Sequence, residues 1–143
     1  PMLHSHTLDF SFSGLKTAVL TRLKEAEKQG QADAQMRADL AAATELAIVE
    51  VLVAKSVTAL EQTGLKRLVV AGGVGANRLL RQALAQRLSK LRALVFFPPL
   101  DLCTDNGAMI AFAAAQRVQR GLADLSGHGH GFDVHPRWEL AAT

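Results

Sequence analysis

The sequence has little cysteine and few aromatic residues. Of its 143 residues, one is cysteine (Cys103), six are phenylalanine, one is tryptophan and none is tyrosine. A single thiol excludes a scaffold held together by disulfides and favours a reducing compartment such as the cytoplasm. With so few aromatic rings, a hydrophobic core has to be built mainly from Ala, Leu and Val. Hydrophobic residues make up 49% of the chain, which is enough for such a core.

Long hydrophobic runs and a strong excess of one charge are also missing. The longest apolar run, residues 108–115, is far shorter than the roughly 18 residues that a membrane helix needs. No signal-peptide pattern opens the chain, so we expect no membrane partner. Sixteen Lys and Arg against 13 Asp and Glu give a net charge of +3. This charge permits an anionic partner such as RNA or a nucleotide without requiring one.

Apolar periodicity predicts two helices in the first half of the chain. An amphipathic helix is expected over residues 15–28, and a longer one over residues 34–62. Gly64 follows the longer helix in the usual position of a left-handed C-terminal residue. Before both helices, around residues 9–13, phenylalanine alternates with polar residues, which predicts a short strand.

Two continuous apolar segments, residues 68–71 and 94–97, predict parallel strands that are covered on both faces. The crossover of about 20 residues between them includes a predicted helix at residues 76–90, and such a unit is right-handed in roughly 98% of cases. A further helix is expected over residues 105–120, with Thr104 as its N-cap.

These elements predict an α/β fold with a parallel βαβ core and long helices. Two parallel strands make a small sheet for a free-standing core, so we expect the chain to be incomplete as a fragment of a larger fold. Residues 1–143 are expected to form a single domain, and residues 126–143 an extended or flexible tail that includes a Gly/His-rich stretch.

The loops after the two predicted strands are candidate ligand sites, because parallel sheets bind ligands beyond the carboxyl ends of their strands. Each loop leads into a helix N-terminus, which favours anions. The first loop, residues 72–77, contains three glycines that allow close approach and ends in Asn77. Its amide offers a donor and an acceptor, which suits a nucleotide. The alternative is a tight turn in which Asn77 only caps the helix.

The second loop, residues 98–106, contains Cys103 and Asp105. Asp105 is expected in the first helical turn, either as a carboxylate favoured there electrostatically or as a metal ligand. One carboxylate does not hold a metal alone. Cys103 is either a thiolate ligand or a buried side chain. No two histidines have the i, i+4 spacing of a helical metal site.

Basic residues cluster on and just after the helix that follows the first loop. A solvated helix face explains them, and a surface that faces tRNA is the alternative. The members of this cluster are Arg78, Arg81, Arg87, Lys90 and Arg92.

Four motifs occur in a fixed order: FSFSGLKT at 10–17, VAGGVGANR at 70–78, CTDNGAMIA at 103–111 and PRWEL at 136–140. Together they resemble the C-terminal part of the tRNA adenosine threonylcarbamoyltransferase family, long called O-sialoglycoprotein endopeptidase or glycoprotease. Gly75 stands where that family more often has Ala or Ser.

The resemblance implies the second, ribonuclease-H-like lobe of an actin/Hsp70/sugar-kinase-like fold. It also implies an acyltransferase that moves a threonylcarbamoyl group from threonylcarbamoyl-AMP to the N6 amine of an adenosine in tRNA. The target is the adenosine 3′ of the anticodon in tRNAs that read ANN codons. The implied partners are tRNA, threonylcarbamoyl-AMP and the other subunits of a threonylcarbamoylation complex, and the implied location is the cytoplasm.

The resemblance further implies roles for four residues. Asn77 matches an adenylate-binding asparagine, Gly72 and Gly73 lie against the nucleotide (ATP or threonylcarbamoyl-AMP), and Asp105 matches a ligand of one divalent metal ion, iron or zinc. No residue is assigned as catalytic. The family's His-x-x-x-His pair, in an N-terminal lobe, is not in this sequence. We therefore expect the isolated chain to be inactive. We also expect it to expose the apolar residues 108–115 of its last helix and to self-associate.

Two other functions stay open beside the transferase. One is a metalloprotease, as the older family name implies, although no His-Glu-x-x-His motif occurs in the sequence. The other is a non-catalytic partner or scaffold module of the same fold.

Overall fold

The structure is a computed structural model that describes residues 2–3, 5 and 7–122. The chain divides into two compact units, Pro1–Asp105 and Asn106–Thr143, and each is treated by itself below. The predicted tail at 126–143 and the fourth motif lie outside the described residues. Within the described part of the chain, no helix has the length and apolar character needed to cross a membrane.

Two helices open the first unit, and both agree closely with the sequence prediction. Helix α1 spans Ser13–Lys28 and α2 spans Ala34–Thr63. The Asp33 carboxylate caps α2 by accepting from the backbone N–H of Met36 at 2.7 Å. Gly64 ends α2 with φ 70°, the left-handed conformation that its position predicted.

The strand predicted at residues 9–13 is wrong. Residues 9–12 have no regular structure, and α1 already begins at Ser13. The two phenylalanine rings of the segment contact each other instead, with centroids 5.7 Å apart. An alternating pattern forms a strand only where a neighbouring strand accepts its hydrogen bonds, and the described residues supply none beside this segment.

The predicted parallel strands are present but shorter, and the prediction that both of their faces are covered is wrong within the described residues, where one face is exposed. Strand β1 spans Arg67–Val69 and β2 spans Leu94–Phe96, and they pair in parallel with Leu68 opposite Val95. Helix α3, Arg78–Lys90, lies between them in the chain and is preceded by a 3₁₀ turn, Gly73–Ala76. The βαβ unit and the α/β class are therefore confirmed.

The core of the first unit lies between α2, α3 and one face of the sheet. Its buried members are Val49, Val57, Leu60, Leu80, Leu84, Leu88 and Ala93. Full burial of each Leu or Val side chain contributes roughly 1.5–3 kcal/mol. The strand residues Leu68 and Val95 pack against this core. Their neighbours Val69 and Leu94, whose side chains alternate to the other sheet face, are 73% and 60% exposed within the described residues.

In the second unit, helix α4 spans Gly107–Gln119. Its N-cap is Asn106, whose side chain accepts from the backbone N–H of Met109 at 2.9 Å. The prediction that Thr104 caps this helix and that Asp105 lies in its first turn is therefore wrong. The extended backbone of Asn106, with φ −149° and ψ 155°, places a strong capping side chain two residues later.

Candidate functional site

The two candidate loops leave the sheet at the same edge. β1 and β2 are parallel neighbours, so the segments that follow Val69 and Phe96 both start at the carboxyl ends of the strands. This is the edge at which α/β sheets bind ligands. The first segment continues into α3, and the second passes through a short 3₁₀ turn, Leu100–Leu102, toward Asp105.

Arg81, on the second turn of α3, joins the two loops. Its Nε donates to the carbonyl of Gly75 at 2.6 Å, and its Nη2 donates to the carbonyl of Pro98 at 2.7 Å. The guanidinium carbon also lies 4.6 Å from the ring centroid of Phe97, a favourable cation–π distance. The interpretation of Arg81 as part of a solvated face is therefore wrong. This role could not be predicted from the local sequence, because the atoms that accept hydrogen bonds from Arg81 all lie outside α3.

Cys103 is buried, with 2% of its surface exposed. Its sulfur accepts from Arg81 Nη2 at 3.2 Å, and its thiol donates to the carbonyl of Pro99 at 3.4 Å. These contacts make Cys103 a packed part of the second loop, in agreement with the interpretation of a buried side chain.

Asn77 caps α3 and also makes a long-range contact. Its Oδ1 accepts from the backbone N–H of Leu80 at 2.8 Å, and its Nδ2 donates to Glu45 Oε1 on α2 at 2.7 Å. The cap interpretation therefore holds, and the amide has a second partner besides. Sequence reasoning missed Glu45, although a signal was present. Glu45 falls three, four and seven residues before the apolar residues Ile48, Val49 and Leu52, so a carboxylate interrupts a core-facing stripe.

A cavity of about 870 Å³ opens beside Asn77. Gly73, Val74 and Asn77 line it from the loop, and most of the remaining wall is apolar side chains of α2. Its volume lies in the usual range for small-molecule sites, and a mostly apolar wall with a few polar groups is their usual character. The polar side chains in the wall are those of Thr44, Glu45 and Asn77.

The structure brings only part of the predicted site to this cavity. Gly73 and Asn77 line it, whereas Gly72 and Asp105 do not. Gly72 has φ 86°, a conformation that side chains disfavour, and it makes the turn between β1 and the 3₁₀ segment. Asp105 is exposed on the second loop.

A second, apolar cavity of about 500 Å³ shares Val74 with the first. Phe10 and Phe12 line it together with Val70 and Ala71. The motif at 10–17 and the motif at 70–78 therefore meet in space, although about 60 residues separate them in the chain.

The described residues do not by themselves fit a metal ion. A metal site needs several ligands, and nowhere in residues 2–3, 5 and 7–122 do three His, Cys, Asp or Glu side chains come together to hold one. Asp105 is a single exposed carboxylate. Its role as a metal ligand stays a prediction.

Fold and site together define an α/β protein with a mostly apolar cavity at the carboxyl edge of a parallel strand pair. The family model for tRNA N6-adenosine threonylcarbamoyltransferase (TsaD) matches residues 1–112 of the chain. The chain belongs to this family, as its motifs predicted.

Curated relatives bear the same name. The protein of Bordetella petrii is 73% identical over 141 residues, which are 99% of this chain and 40% of that protein. The proteins of Variovorax paradoxus and Chromobacterium violaceum are 60% and 57% identical over 142 and 143 residues, which are 39% and 40% of those proteins. The chain thus spans about 40% of the length of the curated relatives it matches.

Proposed function

We propose that this chain supplies part of the active site of a tRNA N6-adenosine threonylcarbamoyltransferase. The whole enzyme transfers the threonylcarbamoyl group of threonylcarbamoyl-AMP to the N6 amine of the adenosine 3′ of the anticodon, in tRNAs that read ANN codons. The observation that carries the proposal is the cavity at the sheet edge, which Gly73 and Asn77 line. Membership of the family supports the same activity.

In this proposal the cavity receives the adenylate part of the substrate. The apolar wall contributed by α2 suits the face of a base, and the Asn77 amide supplies a directed polar contact. Gly73 lets the ligand approach the backbone closely, and Gly72 holds the turn that presents it.

Asp105 would serve as one ligand of a divalent metal ion, iron or zinc, with the remaining ligands from another part of the whole protein. When bound, such an ion acts as a Lewis acid and orients the carbamoyl group. Under this proposal the two units belong to the second, ribonuclease-H-like lobe of an actin-like fold. The protein works in the cytoplasm with tRNA and the partner subunits of a threonylcarbamoylation complex.

The test is complementation of a strain that lacks the enzyme, using the full-length gene product. The readout is the fraction of threonylcarbamoyladenosine in digested tRNA, measured by mass spectrometry. Asn77→Ser keeps a capping side chain but removes the amide, and Asp105→Ala removes the carboxylate. Loss of a residue that supports a metal or substrate contact typically costs roughly 10–100-fold in affinity or activity, so we expect both to lower the modified fraction by about tenfold or more.

Asp101→Ala is the matched control, because Asp101 is an exposed carboxylate in the same loop as Asp105. It should restore modification as the unchanged gene does. Full modification with both Asn77→Ser and Asp105→Ala would contradict the proposed site. A full-length protein that binds partner subunits but restores no modification would instead be a scaffold.

A further inference from the structure

The carboxylate of Glu45 and the amide of Asn77 form a pair across the cavity wall. The two residues are 32 positions apart, on α2 and at the start of α3, and Nδ2 of Asn77 donates to Oε1 of Glu45 at 2.7 Å. The other end of the amide, Oδ1, accepts from the backbone N–H of Leu80 at 2.8 Å. The amide is therefore held at both ends.

Holding both ends fixes the plane of the amide. The cap alone anchors only the oxygen, and the amide plane can still rotate about that hydrogen bond. The contact with Glu45 removes this freedom and assigns one of the two Nδ2 hydrogens to the carboxylate. The second hydrogen is left for another acceptor at the wall of the cavity that both residues line.

The charge of Glu45 also decides which part of a nucleotide can lie here. The N-terminus of α3 carries the equivalent of roughly half a positive charge, whereas the carboxylate carries a full negative charge and lies within hydrogen-bond distance of Asn77. A phosphate beside Asn77 would be repelled more strongly by Glu45 than the helix attracts it. An uncharged acceptor, on the base or the ribose, meets no such repulsion.

We propose that Glu45 is a positioning residue for the nucleoside part of the ligand, acting through Asn77. It orients the Asn77 amide so that one N–H faces an uncharged acceptor of the nucleoside, and it keeps phosphate away from this end of the cavity. The inference rests on the proposed function in that the ligand is taken to be an adenine nucleotide.

Calorimetric titration of the full-length gene product with adenosine and with ATP tests the inference. A hydrogen bond contributes roughly a tenfold change in affinity at most. We therefore expect Glu45→Ala to weaken binding of both probes by about five- to tenfold, and by the same factor for each. Glu45→Gln keeps an oxygen that can accept from Asn77, and it should bind both probes within about twofold of the unchanged protein.

Glu50→Ala is the matched control, since Glu50 is an exposed carboxylate on the same helix and does not line the cavity. It should leave both affinities unchanged. All variants should unfold at the same temperature, because Glu45 is itself exposed.

Three results would overturn the inference. In the first, Glu45→Ala binds both probes as tightly as the unchanged protein does. In the second, Glu45→Gln loses as much affinity as Glu45→Ala, and in the third the unchanged protein binds neither probe. The proposed function is judged separately, by modified adenosine in tRNA. A protein that binds both probes as expected but modifies no tRNA would refute the function and leave the inference standing.

Discussion

Nη2 of Arg81 lies 3.2 Å from the sulfur of Cys103, and this contact fastens the loop after β2 to helix α3. The same guanidinium reaches the carbonyl of Gly75 in the loop after β1. A single side chain thus ties together the two loops that the family motifs contribute to the sheet edge.

Replacement of Arg81 should therefore destabilise the first unit. Arg81→Met removes the donors to Gly75 and Pro98, and we expect a loss of about 2 kcal/mol in the free energy of unfolding, measured in urea. Arg81→Lys should recover only part of it, because an ammonium group cannot span the same acceptors. Arg78→Met, an exposed change on the same helix, is the control. A change below about 0.5 kcal/mol for Arg81→Met would show that the loops are held in another way.

Replacement by alanine should affect stability differently at two glycines of the first loop. A Cβ at Gly75 would lie 3.6 Å from the Val70 carbonyl and 3.9 Å from the Cys103 sulfur, which are ordinary contacts. Gly75→Ala should thus be neutral or stabilise by about 0.5 kcal/mol, which accounts for the Ala or Ser of the family at this position. Gly72→Ala at φ 86° should cost about 1 kcal/mol or more. Thermal unfolding measures both, and equal midpoints would contradict the explanation.

Lys55 holds the segment before α1 in place. Lys55 lies on α2, and only 5% of its surface is exposed. Its Nζ donates hydrogen bonds to the carbonyl and hydroxyl of Ser5 and to the carbonyl of Thr7. Lys55→Met keeps the apolar stem but removes these donors. We expect faster proteolysis between residues 7 and 12, with a change of less than about 1 kcal/mol in global stability because water can solvate the released carbonyls. Cleavage at the unchanged rate would contradict this anchoring role.

The sheet face opposite the core is exposed, and it should drive self-association of the 143-residue chain. Val69, Leu94 and Phe96 expose apolar side chains there within the described residues. In sedimentation velocity, we expect concentration-dependent association that Val69→Thr with Phe96→Thr weakens by about tenfold, since both changes keep β propensity. Leu20→Thr, a comparably exposed position on α1, is the control. A monomer at all concentrations with cooperative unfolding would refute the expectation.

Local sequence signals predicted the helices and the parallel pair well. Gly64 marks the end of α2 through its left-handed backbone conformation, which depends on neighbouring residues only. Local signals failed where two equivalent signals compete or where a partner is distant. Thr104 and Asn106 are both good caps, and only the backbone of the loop selects Asn106.

The position of the candidate site could be predicted from the sequence, but most of the contacts within it could not. The sheet edge, Gly73 and Asn77 follow from the order of strands and loops. The contacts of Asn77 with Glu45 and of Arg81 with Pro98 join residues 32 and 17 positions apart. They exist only because α2, α3 and β2 pack together, and no local pattern encodes that packing.

The proposed function requires an adenine nucleotide to bind in the cavity beside Asn77. Its most direct test is a titration of the ¹⁵N-labelled protein with ATP, followed by NMR. We expect the side-chain amide of Asn77 and the backbone amide of Gly73 to shift in step with occupancy, while the backbone amide of Gly64, which ends α2 and does not line the cavity, stays in place. Saturation with ATP that leaves the Asn77 and Gly73 resonances unmoved would show that the nucleotide binds elsewhere.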